Sequence, residues 1–324
     1  MDLSTKYMGM DLGSPIVLAA CPLSDDVDIV SRCVDAGAGA VVMRSLFEEQ
    51  ITKEQHLPRP TGNEADGEAT QFSFTVNRYL EQIARIKDAL DVPVIGSING
   101  TTLGGWVRHA EMVQRAGADA IELNVYYTAT DPDEEPRAVE QRYTDIVAAV
   151  RARITVPLAV KLSPFFSAPV YMARKLDQAG AEGLVMFNRF YQPDIDATSR
   201  KVTSSITLSD SSSLPLRLRW LAATYGKVKA SLACTGGIHT GTDAVKATLA
   251  GADVVQMASA VLRSGPNAIR KVRDELTEWM RTNHVENLQD IRGELSLARC
   301  KDPVGLFRAN YLKTLHEWHP ADSL

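Results

Sequence analysis

The chain has 324 residues, a formal net charge of −5, 45% apolar residues and 23% charged residues. These values fit an ordinary globular protein with a large core, and the net negative charge offers no basic field for nucleic acid. The apolar runs are far shorter than the roughly 20 residues that cross a bilayer, so we expect no membrane span. Segment 1–6 has neither the cationic nor the apolar region of a secretion signal, and we expect a cytoplasmic protein.

Four cysteines and six histidines are scattered along the sequence. None of them has the C-x-x-C, H-x-x-x-H or H-E-x-x-H spacing that organises metal sites. We therefore expect reduced cysteines, structural or surface histidines, and no metal site.

An internal repeat organises the sequence. Four segments, starting at Ala36, Ala116, Ala179 and Ala250, each begin Ala-Gly-Ala and continue into a short apolar run. Glycine suits the left-handed residue that ends a helix, and the apolar run suits a buried parallel strand. Further apolar runs lie between these repeats and bring the number of predicted strands to eight: Ile16–Ala20, Val94–Ile98, Leu158–Leu162 and Ala230–Cys234.

A segment with helical periodicity follows each predicted strand. These segments are Val27–Val34, Tyr79–Ala89, Trp106–Arg115, Val139–Ile154, Val170–Gln178, Leu216–Tyr225, Thr242–Leu249 and Asn267–Met280. The repeated strand–helix order predicts an α/β fold, a single (β/α)8 TIM barrel over residues 1–324. A doubly wound sheet is the alternative, but it needs a switch point and usually has fewer units.

Three stretches exceed what a barrel of about 250 residues needs. They are a polar stretch at 48–75, a Ser-rich stretch at 189–214, and a C-terminal tail at 285–324 with one or two helices. The first two follow strands and therefore lie at the face where barrels build active sites, so they are candidate lids. The alternative is a flexible insertion or an oligomer contact.

Small and polar residues follow the last two predicted strands. Gly236 and Gly237 come after the seventh strand, and Ala258 and Ser259 after the eighth. In barrels these two loops commonly bind phosphate, because glycines let backbone N–H groups approach the ligand. We predict a phosphate-bearing ligand here, while noting that a Gly-Gly pair also serves tight turns.

Lys161 lies inside the apolar run Pro157–Leu162. A lysine that points into the barrel mouth needs a negative partner or must lose its proton. Its candidate roles are a cation beside an anionic cofactor ring or an amine that forms a Schiff base. The structural alternative is a side chain that reaches the outer surface.

The sequence resembles the dihydroorotate dehydrogenase family, and its soluble class more than its membrane-associated class. The likeness runs from about residue 2 to residue 295, with the motifs in the family's order. The segments that carry it are 14–20, 42–45, 120–124, 160–164, 184–188, 235–241 and 251–260.

This resemblance implies an FMN-dependent oxidoreductase that acts on a CH–CH bond, oxidising dihydroorotate to orotate in pyrimidine biosynthesis by hydride transfer to the flavin. It also implies a homodimer and leaves room for an electron-transfer partner subunit. In the family, the lysine matching Lys161 contacts the flavin ring. The residues that hold the FMN phosphate match Gly236, Gly237, Ala258 and Ser259. The residues that pack against or hydrogen-bond flavin or substrate match Ala20, Arg44, Ser45, Asn124 and Asn188.

The sequence departs from the family in several places. Tyr127 occupies the position of the general base, which is a cysteine in the soluble class and a serine in the membrane class. A tyrosine accepts a proton only where cations such as Lys161 or Arg44 stabilise the phenolate; otherwise Tyr127 fills the pocket. Arg44 replaces a lysine, segment 210–213 replaces a Gly-rich loop, and segment 63–72 lacks the family's substrate-loop pattern.

Three functions follow as alternatives. The first is an FMN enzyme of the dihydroorotate dehydrogenase type, acting on dihydroorotate or on a related small molecule. The second is a flavoprotein of the same fold with another substrate or with no catalysis. The third is a barrel aldolase in which Lys161 forms a Schiff base.

Overall fold

The computed structural model describes residues 1–48, 76–100, 102–125, 127–189, 193–203 and 206–317. Its strands are β1 (Thr5–Tyr7), β2 (Met10–Leu12), β3 (Ile16–Leu18), β4 (Ala40–Val42), β5 (Leu46–Phe47), β6 (Val94–Asn99), β7 (Ala120–Asn124), β8 (Leu158–Leu162), β9 (Gly183–Met186), β10 (Asp194–Asp196), β11 (Lys201–Thr203), β12 (Ser231–Thr235) and β13 (Val254–Met257).

The described helices surround these strands. They are α1 (Val27–Asp35), α2 (Val76–Ala89), α3 (Leu103–Arg115), α4 (Pro136–Arg151), α5 (Pro169–Ala179), α6 (Leu214–Thr224), α7 (Gly241–Ala250), α8 (Ser259–Ser264), α9 (Asn267–Thr282), α10 (Leu288–Ile291) and α11 (Pro303–Glu317). Short 3-10 turns cover Pro22–Asp25, Ser211–Ser213 and Leu297–Arg299. Within the described part of the chain, none of the helices has the length and apolar character needed to span a membrane.

Parallel strands close into the predicted eight-stranded barrel, in the ring order β4-β3-β13-β12-β9-β8-β7-β6. The ring closes where β4 pairs with β6, with Val41 beside Val94 and Val42 beside Ile95. The (β/α)8 prediction is therefore confirmed. A doubly wound sheet would have left two open edges.

The Ala-Gly repeats end helices as the sequence predicts. Gly251 follows α7 with φ of +119°, and its N–H donates to the carbonyls of Ala247 and Thr248. A Cβ on Gly251 would come within 2.6 Å of the Tyr225 ring. Because the position needs both a left-handed backbone and an absent side chain, glycine is the residue that fits.

The lower half of the barrel interior is apolar. Inward side chains of the strands form one buried cluster there: Val17, Ala40, Val42, Ile95, Ala120, Ala159, Val185, Ala233 and Val254. The hairpin β1–β2, which the sequence analysis did not predict, adds Tyr7, Met8 and Leu12 to this cluster and closes the floor of the barrel. The barrel interior is therefore closed at the end where the strands begin.

Several predicted boundaries need correction. The first barrel strand ends at Leu18 rather than Ala20, because the chain turns outward into the Pro22–Asp25 turn. The seventh runs over Ser231–Thr235 rather than 230–234. The stretch 189–214 holds an exposed hairpin, β10–β11, which the sequence analysis left as a loop. Most of the stretch 48–75 lies outside the described residues.

The C-terminal tail runs beneath the barrel floor, as hydrogen bonds show. Gly293 and Leu295 donate backbone N–H groups to the carbonyls of Thr248 and Leu249. Arg292 forms an ion pair with Asp253, which precedes β13. The tail has the helical character predicted for it, in α10 and α11.

The Asp253 carboxyl should make stability depend on pH. Burial raises its pKa from 3.8 to about 6, against the opposing effects of Arg292 and the Leu232 N–H group. Because the folded pKa lies above the unfolded one, the folded state binds more protons between these values and loses stability as pH rises through them. The two-unit shift corresponds to about 3 kcal/mol.

We expect Asp253→Asn to remove this pH dependence. Relative to the wild type, the variant should gain about 3 kcal/mol in free energy of unfolding between pH 4 and pH 7. Urea unfolding of both proteins at the two pH values measures this difference. An equal difference in free energy of unfolding between the two proteins at both pH values would contradict the assignment of this pH dependence to Asp253.

Candidate active site at the mouth of the barrel

A cavity of about 260 Å³ lies at the carboxyl ends of the barrel strands. The predicted site residues that line it are Ala20, Lys161, Asn188, Gly236, Gly237, Ala258 and Ser259. A more open groove of about 770 Å³ lies at the opposite end, around the loop before β12. Because barrel enzymes bind their ligands at the carboxyl ends, we take the mouth as the candidate site.

Lys161 forms the base of this cavity. It is only 7% exposed, and its Nζ lies 3.1 Å from Glu122 Oε1. Glu122 is fully buried, and its second oxygen accepts a hydrogen bond of 2.8 Å from Gln256 Nε2. Burying charges is costly unless they are paired, and here both oxygens of Glu122 have a partner. The ion pair excludes the alternative of a lysine that reaches the outer surface.

Two amide side chains meet beside the cavity. Asn188, which follows β9, donates from Nδ2 to Asn124 Oδ1 at the end of β7 over 2.6 Å. Asn188 lines the cavity, whereas Asn124 is joined to it through this bond. The structure therefore brings these two predicted residues together.

Arg44 and Ser45 lie at the same face but do not line the cavity. Arg44 pairs with Asp25 Oδ2 over 2.7 Å, and its backbone N–H donates to Ser24 Oγ. Ser45 Oγ lies 2.7 Å from Ser97 Oγ. Burial raises the pKa of Asp25, while Arg44 opposes this effect.

A glycine and serine cradle forms the other side of the cavity. Gly236 and Gly237 have φ values of +87° and +89°. Ser209 donates from its backbone N–H to Ser259 Oγ over 3.1 Å, and the two hydroxyls are 3.0 Å apart. A Cβ on Gly237 would lie 2.7 Å from the backbone nitrogen of Leu214. Only a glycine lets these backbone segments approach so closely.

Two basic side chains at the cradle were missed by the sequence analysis. Arg217 donates to the carbonyls of Thr235 and Ser213, and burial lowers its pKa. His239 lines the cavity, although the sequence suggested a structural or surface role for every histidine. Its Nε2 is buried without a hydrogen-bond partner among the described residues, and burial lowers its pKa. Its position directly after the Thr-Gly-Gly-Ile motif was the available signal.

The cradle fits a phosphate group. It combines glycine backbone, serine hydroxyls, a guanidinium and an imidazole nitrogen that lacks a partner. Asp210, which would repel an anion if it pointed inward, is exposed and accepts hydrogen bonds from Ser212. These bonds lower the pKa of Asp210 and fix its carboxylate on its own turn. The residues present therefore fit a phosphate-bearing cofactor such as FMN.

Tyr127 lies in a separate cluster. Its hydroxyl donates to Glu134 Oε2 over 2.6 Å, and the Arg142 guanidinium lies 3.9 Å from its ring centre. Arg142 also pairs with Glu134 over 2.8 Å. The cation beside Tyr127 is thus Arg142, whereas the sequence analysis suggests cations such as Lys161 or Arg44. The predicted substrate-loop segment, 63–72, lies outside the described residues.

Comparisons with known proteins agree with this geometry. A family model described as dihydroorotate dehydrogenase matches residues 2–280. The chain is 27% identical to the dihydroorotate dehydrogenase B (NAD(+)) catalytic subunit of Thermoplasma acidophilum, covering 90% of this chain and 98% of that protein. It is 29% identical to a putative dihydroorotate dehydrogenase A (fumarate) of Aeropyrum pernix, covering 90% and 97%. With a catalytic subunit from Halalkalibacterium halodurans it shares 31% over 65% of this chain and 70% of that protein.

We expect Gly237→Ala to destabilise the fold by about 1–3 kcal/mol beyond the cost of its left-handed backbone, because the Cβ meets the backbone at Leu214. Gly9→Ala is the matched control, since Gly9 has φ of +78° but its Cβ would meet no atom within 4 Å. Thermal unfolding of both variants measures the difference. Equal losses of stability in the two variants would show that the close approach of the backbone at the cradle does not contribute to the destabilisation.

Proposed function

Because the chain belongs to the dihydroorotate dehydrogenase family, we propose that it is an FMN-dependent enzyme of that type, which oxidises dihydroorotate to orotate at the mouth cavity. One observation carries this proposal: a buried cation, Lys161, and a phosphate cradle share one cavity in a chain that the family model matches over residues 2–280. The reaction converts a CH–CH bond to a double bond.

We assign the phosphate of FMN to Gly236, Gly237, Ser259 and Arg217. The ring would extend across the cavity toward Lys161, where a fixed positive charge favours electron-rich groups. When bound, the flavin supplies the acceptor for hydride. Asn188, tied to Asn124, presents amide groups that can hold a polar ring by hydrogen bonds.

The oxidation also releases a proton from the substrate, so a nearby group must accept it. Tyr127 donates a hydrogen bond from its hydroxyl to Glu134, so this hydroxyl is already held by a carboxylate. We therefore assign Tyr127 to fastening its loop to α4 rather than to accepting the proton.

Asp25 suits the proton-accepting role better. It ends the Pro22–Asp25 turn, whose first residue lines the cavity; Asp25 itself does not line it, and one of its oxygens pairs with Arg44. The other, Oδ1, is buried without a hydrogen-bond partner among the described residues. Burial raises the pKa of this carboxyl, which increases its basicity.

A Schiff-base aldolase is less consistent with these contacts. Such chemistry requires a free Lys161 amine, whereas the Lys161 nitrogen is paired with the Glu122 carboxylate at 3.1 Å. A flavoprotein of this fold with another substrate or with no catalysis is the alternative that the experiment below separates.

Several relatives are named catalytic subunits of dihydroorotate dehydrogenase B (NAD(+)). For this chain, a homodimer and an electron-transfer partner subunit stay predictions. The proposed substrate is a small molecule.

We expect the purified protein to show a flavin absorption spectrum that bleaches when dihydroorotate is added without oxygen. Lys161→Ala should lose FMN or turnover. If the protein has a flavin spectrum that dihydroorotate does not bleach at any concentration, the flavin assignment stands and dihydroorotate is not the substrate. A colourless protein that cannot be reconstituted with FMN would overturn the flavin assignment and favour the Schiff-base alternative.

We expect Asp25→Asn to lower kcat/KM by at least 100-fold, the usual loss on removing a general base. Tyr127→Phe should lower it by less than about tenfold, because the phenol serves only its loop. Glu134→Gln is the matched control for that loop. The reverse order of the two losses would return the base to Tyr127.

A further inference from the structure

Three polar side chains meet inside the barrel, directly between the apolar floor and the cavity. Glu122 comes from β7, Lys161 from β8 and Gln256 from β13. Because β7 and β13 stand opposite each other in the ring, the bond of 2.8 Å from Gln256 to Glu122 crosses the barrel interior. Exposed fractions of 0% for Glu122, 7% for Lys161 and 1% for Gln256 place the group out of solvent.

This group contributes little to stability by its nature. Removing two charges from water costs about as much as their attraction returns, and bulky branched apolar side chains usually fill such barrel layers. The effect of the arrangement is to fix the position of the Lys161 ammonium. Glu122 is held on one oxygen by Gln256, so its other oxygen fixes Lys161 Nζ at a defined point below the cavity.

We propose that Glu122 is a positioning residue, which holds Lys161 as a charged ammonium at the base of the cavity so that this charge meets the electron-rich ring of the reduced cofactor. The inference rests on the proposed function for the identity of that ring. The part that concerns Glu122 and Lys161 can be tested without it.

The other ionisable groups around Lys161 do not replace Glu122. Cys21, across the cavity, has its pKa raised by burial and is a neutral thiol. Tyr7, on the floor, faces Glu122 and Gln256 and has its pKa raised well above its ordinary value by burial and by the Glu122 charge. Asp25 also acts on Cys21 electrostatically, but its carboxylate pairs with Arg44.

The first test is chemical. Reductive methylation with formaldehyde and a borane or cyanoborohydride reductant modifies an amine and spares an ammonium. Mass spectrometry of the full chain, labelled after FMN removal, gives the extent of reaction at each lysine. In Glu122→Gln, the buried ammonium has no counter-ion and should shed its proton. We expect Lys161 to react at least tenfold faster at pH 7.5 than in the wild type, relative to surface lysines of the same sample.

Asp253→Asn is the matched control, because it neutralises another buried, paired carboxylate at the opposite end of the barrel. It should leave the Lys161 rate unchanged. A wild-type rate in folded Glu122→Gln would overturn the proposal. If that variant fails to fold, the same measurement is made on the wild type alone. Lys161 should then react more slowly than the surface lysines up to pH 9. A faster reaction of Lys161 would overturn the proposal.

The second test uses bound FMN. The midpoint potential gives the ratio of affinities for reduced and oxidised cofactor. In Glu122→Gln this ratio should fall at least tenfold from pH 6.5 to pH 8.5, relative to the wild type over the same range, as Lys161 loses its charge. An unchanged profile would overturn the role toward the cofactor. A protein that binds no FMN would instead refute the proposed function and leave the methylation result to decide the ion pair.

Discussion

The alternation of side chains along the closed parallel strands determines the rest of this structure. On β7, Ala120, Glu122 and Asn124 are two residues apart and follow one another up the inside of the barrel, while Ile121 and Leu123 pack outward against the helices. One strand therefore supplies a floor residue, a buried carboxylate and a mouth amide in sequence. The parallel direction repeats this gradient around the ring, so the polar side chains that point into the barrel collect toward the mouth.

This gradient explains why the cavity is polar at its base. The charged layer rests on a sealed apolar floor, which the Tyr7 hairpin completes. Lys161 is only 7% exposed, and electrostatic interactions are stronger at such buried sites than in water. The cradle at the ends of β12 and β13 contributes a second kind of recognition, built from backbone rather than from charge. A ligand that spans both needs a phosphate at one end and an electron-accepting or anionic group at the other.

Local signals in the sequence were sufficient for the fold, because each strand–helix unit carries its own turn. The Ala-Gly repeats mark the ends of helices, and Lys161 is conspicuous within its apolar run. The partners of Lys161 were not predictable in the same way. Gln256 and Glu122 are 134 positions apart in the sequence, and the residues around each of them do not predict their hydrogen bond. Arg217 was missed for the same reason, because the closed ring brings α6 to the cradle, whereas the position of His239 after the Thr-Gly-Gly-Ile motif was a local signal. Tyr127 shows the converse: the family resemblance placed it at the position of the base, but its side chain contacts Glu134 and Arg142.

The first and last segments of the barrel meet on the floor side. The backbone N–H of Asp2 donates to the Glu286 carbonyl over 2.8 Å, and Asn287 donates to the Asp2 carboxylate over 3.0 Å. These two segments therefore lie on the face opposite the cavity. A surface tether attached at Asp2 would hold the protein by its floor and leave the mouth open to solution.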